Sequence, residues 1–263
     1  MMHIVRAELG RLTGRRSLSL AIAGALLFAA VTTFAVIASA TDTGLGDSRR
    51  SGVTLSQLSA SGGASLPFAV GASFAGFLVF VTFIAVVAAE FSAGTFRALL
   101  LRDPHRRRLI VGKLVALLIV AAGIAAIAEI VGMAVAALLA PSQDIATAGW
   151  WSLDGLGDAV RDFATVMAGV SGWAIFGTTL AVIFRSTPLA LGVGFAWAGP
   201  FENIVVDSWD PGYRWFPGQV LASLIRGGTV ELGFGRAAAT ALAYVAVAGT
   251  ALLLIVDRRD VTA

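Results

Sequence analysis

Few residues in this chain of 263 are equipped for covalent chemistry. Cysteine is absent, which removes thiol nucleophiles, disulfides, zinc–thiolate sites and iron–sulfur clusters. The two histidines, His3 and His105, sit among basic residues, and no HExxH pattern occurs. Ser171 and Ser186 have no histidine at comparable depth to act as base. Gly112-Lys113 is followed by Leu114, and no glycine-rich strand–turn–helix precedes it. A phosphate-cradling GxxxxGK[ST] is therefore missing. The expectation is a chain with no catalytic residue, no metal and no cofactor of its own.

The carboxylates are more informative. Glu129 stands alone deep in an apolar run. A carboxylate in lipid is costly and marks either a cavity or a partner. It is therefore a candidate for the lining of a substrate pathway, against the plainer reading of a structural hydrogen bond to a neighbouring helix. Glu202 and Asp207 lie near the end of another run. They either face an exit, cap the segment that follows, or sit in interfacial water, which is the simplest reading.

The third feature is the segment 90–113, EFSAGTFRALLLRDPHRRRLIVGK. Phe91, Thr95, Ala98, Leu99 and Arg102 follow a helical period, so 94–102 forms a short helix. Asp103-Pro104 ends it, because proline disfavours a helical residue before it. Arg106, Arg107 and Arg108 follow as a basic block. Such a piece suits docking of a soluble partner, and it equally suits resting on lipid headgroups.

The elements that position these residues follow from composition. The chain is 57% hydrophobic and 13% charged, about half the charge of a soluble domain. Six apolar runs occur, at 17–40, 67–89, 113–140, 163–184, 188–206 and 237–256. Each has roughly the 20 residues that a helix needs to cross a bilayer, and helices alone satisfy their backbone in lipid without closing a barrel. The fold class is all-α: a single polytopic membrane domain over 1–263 with six transmembrane helices. No cleavable signal peptide is evident, because the first run is longer than a signal-peptide core.

Lysine and arginine decide the orientation. With the N-terminus inside, the inner segments and the mouth of the third run hold 13 of the 19, and the outer segments hold 6. The expected topology is N-in and C-in. The pI near 10.1 comes from these short blocks, so nucleic acid is not an expected partner. At the N-terminus, Ile4, Val5, Leu9 and Leu12 recur at helical spacing among Arg6, Arg11, Arg15 and Arg16. This suits a helix on the inner surface with arginines near lipid phosphates, or a plain positive-inside anchor. Before the sixth run, 207–236 is rich in Trp, Pro and Gly and holds the short apolar piece 219–225. It reads as a re-entrant outer segment or, more plainly, as a surface loop with interfacial anchors.

The pattern Glu90, Gly94-Thr95, Leu99-Leu100, Pro104, Arg107, Gly112-Lys113 resembles the cytoplasmic loop of ABC-2 type transporter permeases. The layout resembles that family along the whole chain, and Phe216-Pro217-Gly218-Gln219-Val220-Leu221 resembles its outer-loop pattern. The resemblance implies a permease subunit driven by a separate ATPase subunit, which would carry the ATP and magnesium. It implies that 94–102 is the coupling helix, with Glu90, Gly94 and Thr95 in its motif. Phe96, Leu99 and Leu100 would supply apolar contact with the ATPase, and Arg97 and Arg102 charged contact. It also implies a second permease copy or homologue, an exporter of amphipathic or hydrophobic substrates, and the cytoplasmic membrane of a bacterium. The rival classes are an ion-coupled secondary transporter and a non-transporting membrane scaffold.

Overall fold

Six helices of the computed structural model are long and apolar enough to cross a membrane. The structure describes residues 2–14, 16–41, 52–102 and 105–258, without the side chains of 17, 97 and 102. Asp103-Pro104, Arg15 and the stretch 42–51 lie outside the described residues. In chain order the helices are α1 (Met2–Thr13), α2 (Arg16–Ala38), α3 (Leu55–Leu58), α4 (Leu66–Ser92), α5 (Thr95–Arg102) and α6 (Arg106–Leu139). They continue with α7 (Leu153–Phe184), α8 (Thr187–Ala196), α9 (Glu202–Ser208), α10 (Gly212–Trp215), α11 (Pro217–Ile225) and α12 (Phe234–Arg258). No strand forms among the described residues; Thr41–Thr54 and Gly228–Gly233 are isolated bridges. The candidate spans are α2, α4, α6, α7, α8 joined to α9, and α12.

Helix limits follow local chemistry. Pro67 opens the first turn of α4, where its missing N–H costs nothing. Ser152 caps α7 by accepting a hydrogen bond from Gly155 N at 3.1 Å, and Arg185 closes it in the left-handed region at φ 51°. That cap starts α7 at Leu153, well before its apolar run at 163. The polar first turns are stabilised by Asp158 and Asp162, which accept from Ser61 Oγ and Ser65 Oγ at 2.6 Å each. Between α8 and α9, Trp197–Phe201 forms a π-helical turn containing Pro200. Proline donates no backbone hydrogen bond, and a widened turn absorbs the loss.

The seam between α4 and α7 is built on small residues. Gly76 lies against the Trp173 indole, and a Cβ at Gly177 would come within 2.8 Å of the Phe80 carbonyl oxygen. Gly172 likewise makes room for Leu221 of α11. The small-residue spacing in α6 also serves packing, since Ala128, Gly132 and Ala136 are all buried. One end of the bundle gathers α1, α5 and the charged helix ends. There Ser92 Oγ meets Thr187 Oγ1 at 3.1 Å, and Arg107 Nε meets Asp257 Oδ2 at 2.6 Å. The opposite end is covered by α3, α10 and α11, with fully buried Trp150 donating to the Leu58 carbonyl at 2.8 Å.

Candidate functional site

At the charged end, the turn from α4 into α5 is made by Gly94, whose φ of +69° belongs to the left-handed region that glycine adopts without strain. Thr95 Oγ1 donates back to the Glu90 carbonyl at 3.2 Å, fastening the start of α5 to α4. Phe96 is 4% exposed, and its ring lies 4.5 Å from that of Phe91. Leu99 and Leu100 are half-buried against the same cluster. Phe96, Leu99 and Leu100 fall on one face at helical spacing. Of these three, expected to meet an ATPase, Phe96 is buried in the chain's own core, while Leu99 and Leu100 keep part of their surface; Leu101, at 90% exposure, is the large apolar side chain turned outward. Arg97 and Arg102 belong to α5, and their side chains lie outside the described residues.

Beneath α5 lies a network of four charges, three of them buried. Lys113 Nζ of α6 lies 2.6 Å from Glu90 Oε1 of α4 and 3.1 Å from Glu8 Oε2 of α1. Arg11 of α1 also pairs with Glu90, and its Nε is 3.6 Å from Glu8. Burial disfavours the charged Arg11 guanidinium, but the hydrogen bond and charge of Glu90, with help from Glu8, hold it above its usual range. Two acids and two bases balance, which buried charge requires. The reading of Arg11 as a lipid-facing arginine is corrected in consequence. α1 is pinned to α4 and α6 through charge, and Ile4 packs beside Gly112. The sequence reading passed over Glu8, although it stands four residues from both Ile4 and Leu12 and so shares their apolar face, a signal that it is buried with a partner.

Glu129, on α6, is 8% exposed, and its Oε1 has no hydrogen-bond partner among the described residues. Gly132, three positions on, faces Thr33 of α2, whose buried hydroxyl is likewise unpartnered among the described residues. Glu129 thus belongs to a separate place in the bundle from the charged network.

Glu202 is not an interfacial acid in water. It is 1% exposed. Its Oε2 accepts from Gly218 N at 2.9 Å and its Oε1 from Trp197 Nε1 at 2.7 Å. The carboxylate therefore caps the first turn of α11, where the helix dipole favours a negative charge. Gly218 is needed because a Cβ there would collide with Glu202 Oε2. Asp207 stays exposed.

A family model described as "Protein of unknown function (DUF2705)" matches residues 26–262. The chain belongs to this family. The DUF2705 match takes in Glu90, Lys113, Glu129 and Glu202 and begins inside α2, so Glu8 and Arg11 of α1 precede it. No curated protein matches the chain.

Proposed function

We propose that this membrane protein is the permease subunit of an ATP-binding cassette transporter of the ABC-2 type. One observation supports the reading most. A short helix, α5, stands where a tight turn would suffice, with one apolar side chain, Leu101, almost fully exposed. Its own root is fixed by Phe96 and by the Glu90–Lys113 pair. A helix held this firmly at its base can pass a push from a bound partner into α4 and α6 together. On this reading α5 is the coupling helix for a separate ATPase subunit, which binds ATP and magnesium.

The same reading has both chain ends in the cytoplasm of a bacterial cell, α1 lying at the inner surface, and a second copy or homologue completing the translocation path. α11 supports a re-entrant outer segment. Leu221 and Ile225 fill the places left by Gly172 and Gly169, part-way along the apolar portion of α7. A buried short helix capped by a carboxylate meets the rule that non-helical backbone at membrane depth needs protein cover. The apolar helices and sparse charges favour export of an amphipathic or hydrophobic substrate, with Glu129 lining the path.

Co-purification tests the reading. An ATPase carrying a phosphate-binding loop should accompany the full chain in mild detergent and be stimulated by it. Arg97→Glu combined with Leu101→Asp should abolish the stimulation while the protein remains in the membrane. Undiminished stimulation in that double variant overturns α5 as the coupling element.

A further inference from the structure

Glu129 stands well inside α6, and its Oε1 is wholly buried. It forms no ion pair among the described residues. One turn further along α6, a Cβ at Gly132 would lie 3.4 Å from Thr33 Oγ1 and 3.7 Å from Phe68 Cβ. Thr33 is 0% exposed, with no partner for its hydroxyl among the described residues. Two unsatisfied polar side chains therefore share this part of the bundle.

Polar groups lead from here to one end of the molecule and not to the other. Asp158 and Asp162 are four residues apart on α7, and Ser61 and Ser65 are four apart ahead of α4. They meet in two rungs of 2.6 Å each, Ser61 Oγ donating to Asp158 Oδ2 and Ser65 Oγ to Asp162 Oδ2. About one turn beyond the second rung, Phe68 and Val166 share a buried cluster with Ala128, the neighbour of Glu129. Toward the α1 end the column stops. α6 has no polar side chain from Leu114 to Ala128, and α2 has none from Leu20 to Val31.

The charges around Glu129 are few. α7 supplies Asp162, with Asp158 and Arg161 further out, and Arg161 is exposed over the Phe234 ring. α2 is uncharged after Arg16, and α4 carries only Glu90, at its far end. The charges of α12 stand at its two ends, and α1 packs near Gly112, at the opposite end of α6. A carboxylate in apolar surroundings without a cation is costly, and neutralisation relieves the cost. No group of three His, Cys, Asp or Glu able to hold a metal occurs among the described residues. A hydrated ion needs room that the close approach of Gly132 to Thr33 does not leave. A proton needs neither a ligand shell nor a cavity.

We infer that Glu129 is a proton-binding site in exchange with the α11 end of the bundle through the Asp158–Asp162 column. Hydronium at that end gives up a proton and leaves water. The two aspartates accept and release the proton in turn, and it ends in an O–H bond on Glu129.

The inference goes beyond the permease reading and does not depend on it. It is tested on the chain alone, so absence of an ATPase leaves it standing, and an ionised Glu129 leaves the coupling helix standing. The experiment is infrared spectroscopy of the detergent-solubilised full chain, with carbon-13 in the glutamate carboxyl groups to separate them from aspartate. At neutral pH, where solvated carboxylates are ionised, a glutamic-acid carbonyl band is expected. Glu129→Gln should remove it. Transfer to heavy water should shift it as the proton exchanges. Asp162→Asn keeps an acceptor for Ser65 but cannot relay a proton, and should slow that shift tenfold or more while leaving the band. If Glu129→Gln fails to fold, Asp162→Asn carries the test. No band, a band unchanged in folded Glu129→Gln, a band that heavy water does not shift, or an equally fast shift in Asp162→Asn overturns the inference.

Discussion

Lys113 and Glu90 close an ion pair of 2.6 Å in which both side chains are about 5% exposed. The pair joins the end of α4 to the beginning of α6, on either side of α5. Because Lys113 also reaches Glu8, one ammonium group holds three helices. Removing one partner of such a buried pair leaves the other charge stranded, at a cost of about 3–5 kcal/mol. Lys113→Met is therefore expected to destabilise the detergent-solubilised protein by about that amount in denaturant or thermal unfolding. Arg11, a third exposed, should cost less: Arg11→Ala, about 1 kcal/mol. The double variant should fall short of the sum, since both side chains share Glu90.

The α4–α7 seam makes a second prediction. A methyl group at Gly177 would press on the Phe80 carbonyl, which is backbone and cannot rotate away. Gly177→Ala should destabilise by about 1–3 kcal/mol, the usual cost of overpacking, whereas Gly123→Ala, with open space around it, should be neutral or slightly stabilising. Thermal unfolding of the two variants side by side checks the contrast.

Orientation can be read chemically, because the chain contains no cysteine to create background. Leu101 and Val230 are 90% and 91% exposed and lie at opposite ends of the bundle. In intact cells a membrane-impermeant maleimide should label Val230→Cys, and should label Leu101→Cys only after lysis. The opposite pattern would place the basic ends outside and reject the N-in arrangement.

Glu129 carries a buried oxygen without a partner among the described residues. Leaving such a group unsatisfied costs about 1–3 kcal/mol. Glu129→Leu is expected to raise the unfolding free energy by part of that amount, and on the permease reading to slow transport at the same time. A gain in stability paired with a loss of function separates a working residue from a structural one. A loss of stability would show instead that Glu129 makes a structural bond.

The six candidate spans were legible because apolar length is a property of consecutive residues. Their limits were less so: α6 begins at Arg106 and α7 at Leu153, ahead of their apolar runs; the Ser152 cap and the serine–aspartate pairs extend α7 into polar sequence, and Arg107 at the start of α6 pairs with Asp257. The helical period of α5 was legible; that Gly94 is a left-handed joint ahead of the helix and not its first residue was not. Which face of α5 turns inward was not. Three apolar side chains at helical spacing announce a face, and whether the chain's own core or a partner covers it depends on contacts distant in sequence. The charged network escaped for a related reason: Glu8, Glu90 and Lys113 meet only once three helices are side by side. For Glu202 the capping role stood among three readings, and a run's hydropathy could not choose between them, because it says nothing about the direction in which its end points.

The π-helical turn at Trp197–Phe201 explains that last direction. In a straight α-helix Glu202 would fall roughly 120° out of phase with Ala190. The wider turn takes up one surplus residue and restores the phase, so that Ala190, Gly194, Glu202 and Val206 are all buried. The surplus residue is therefore a spacer that the face does not need. Deleting Ala198 together with Pro200→Ala, which removes the proline that the wide turn accommodates, should convert the bulge to ordinary helix, shorten the span by about 1.5 Å and still deliver the carboxylate inward. Deleting a residue from α9 beyond Glu202 would instead swing Val206 away. Length variation along this span should be tolerated at the bulge and selected against on its far side.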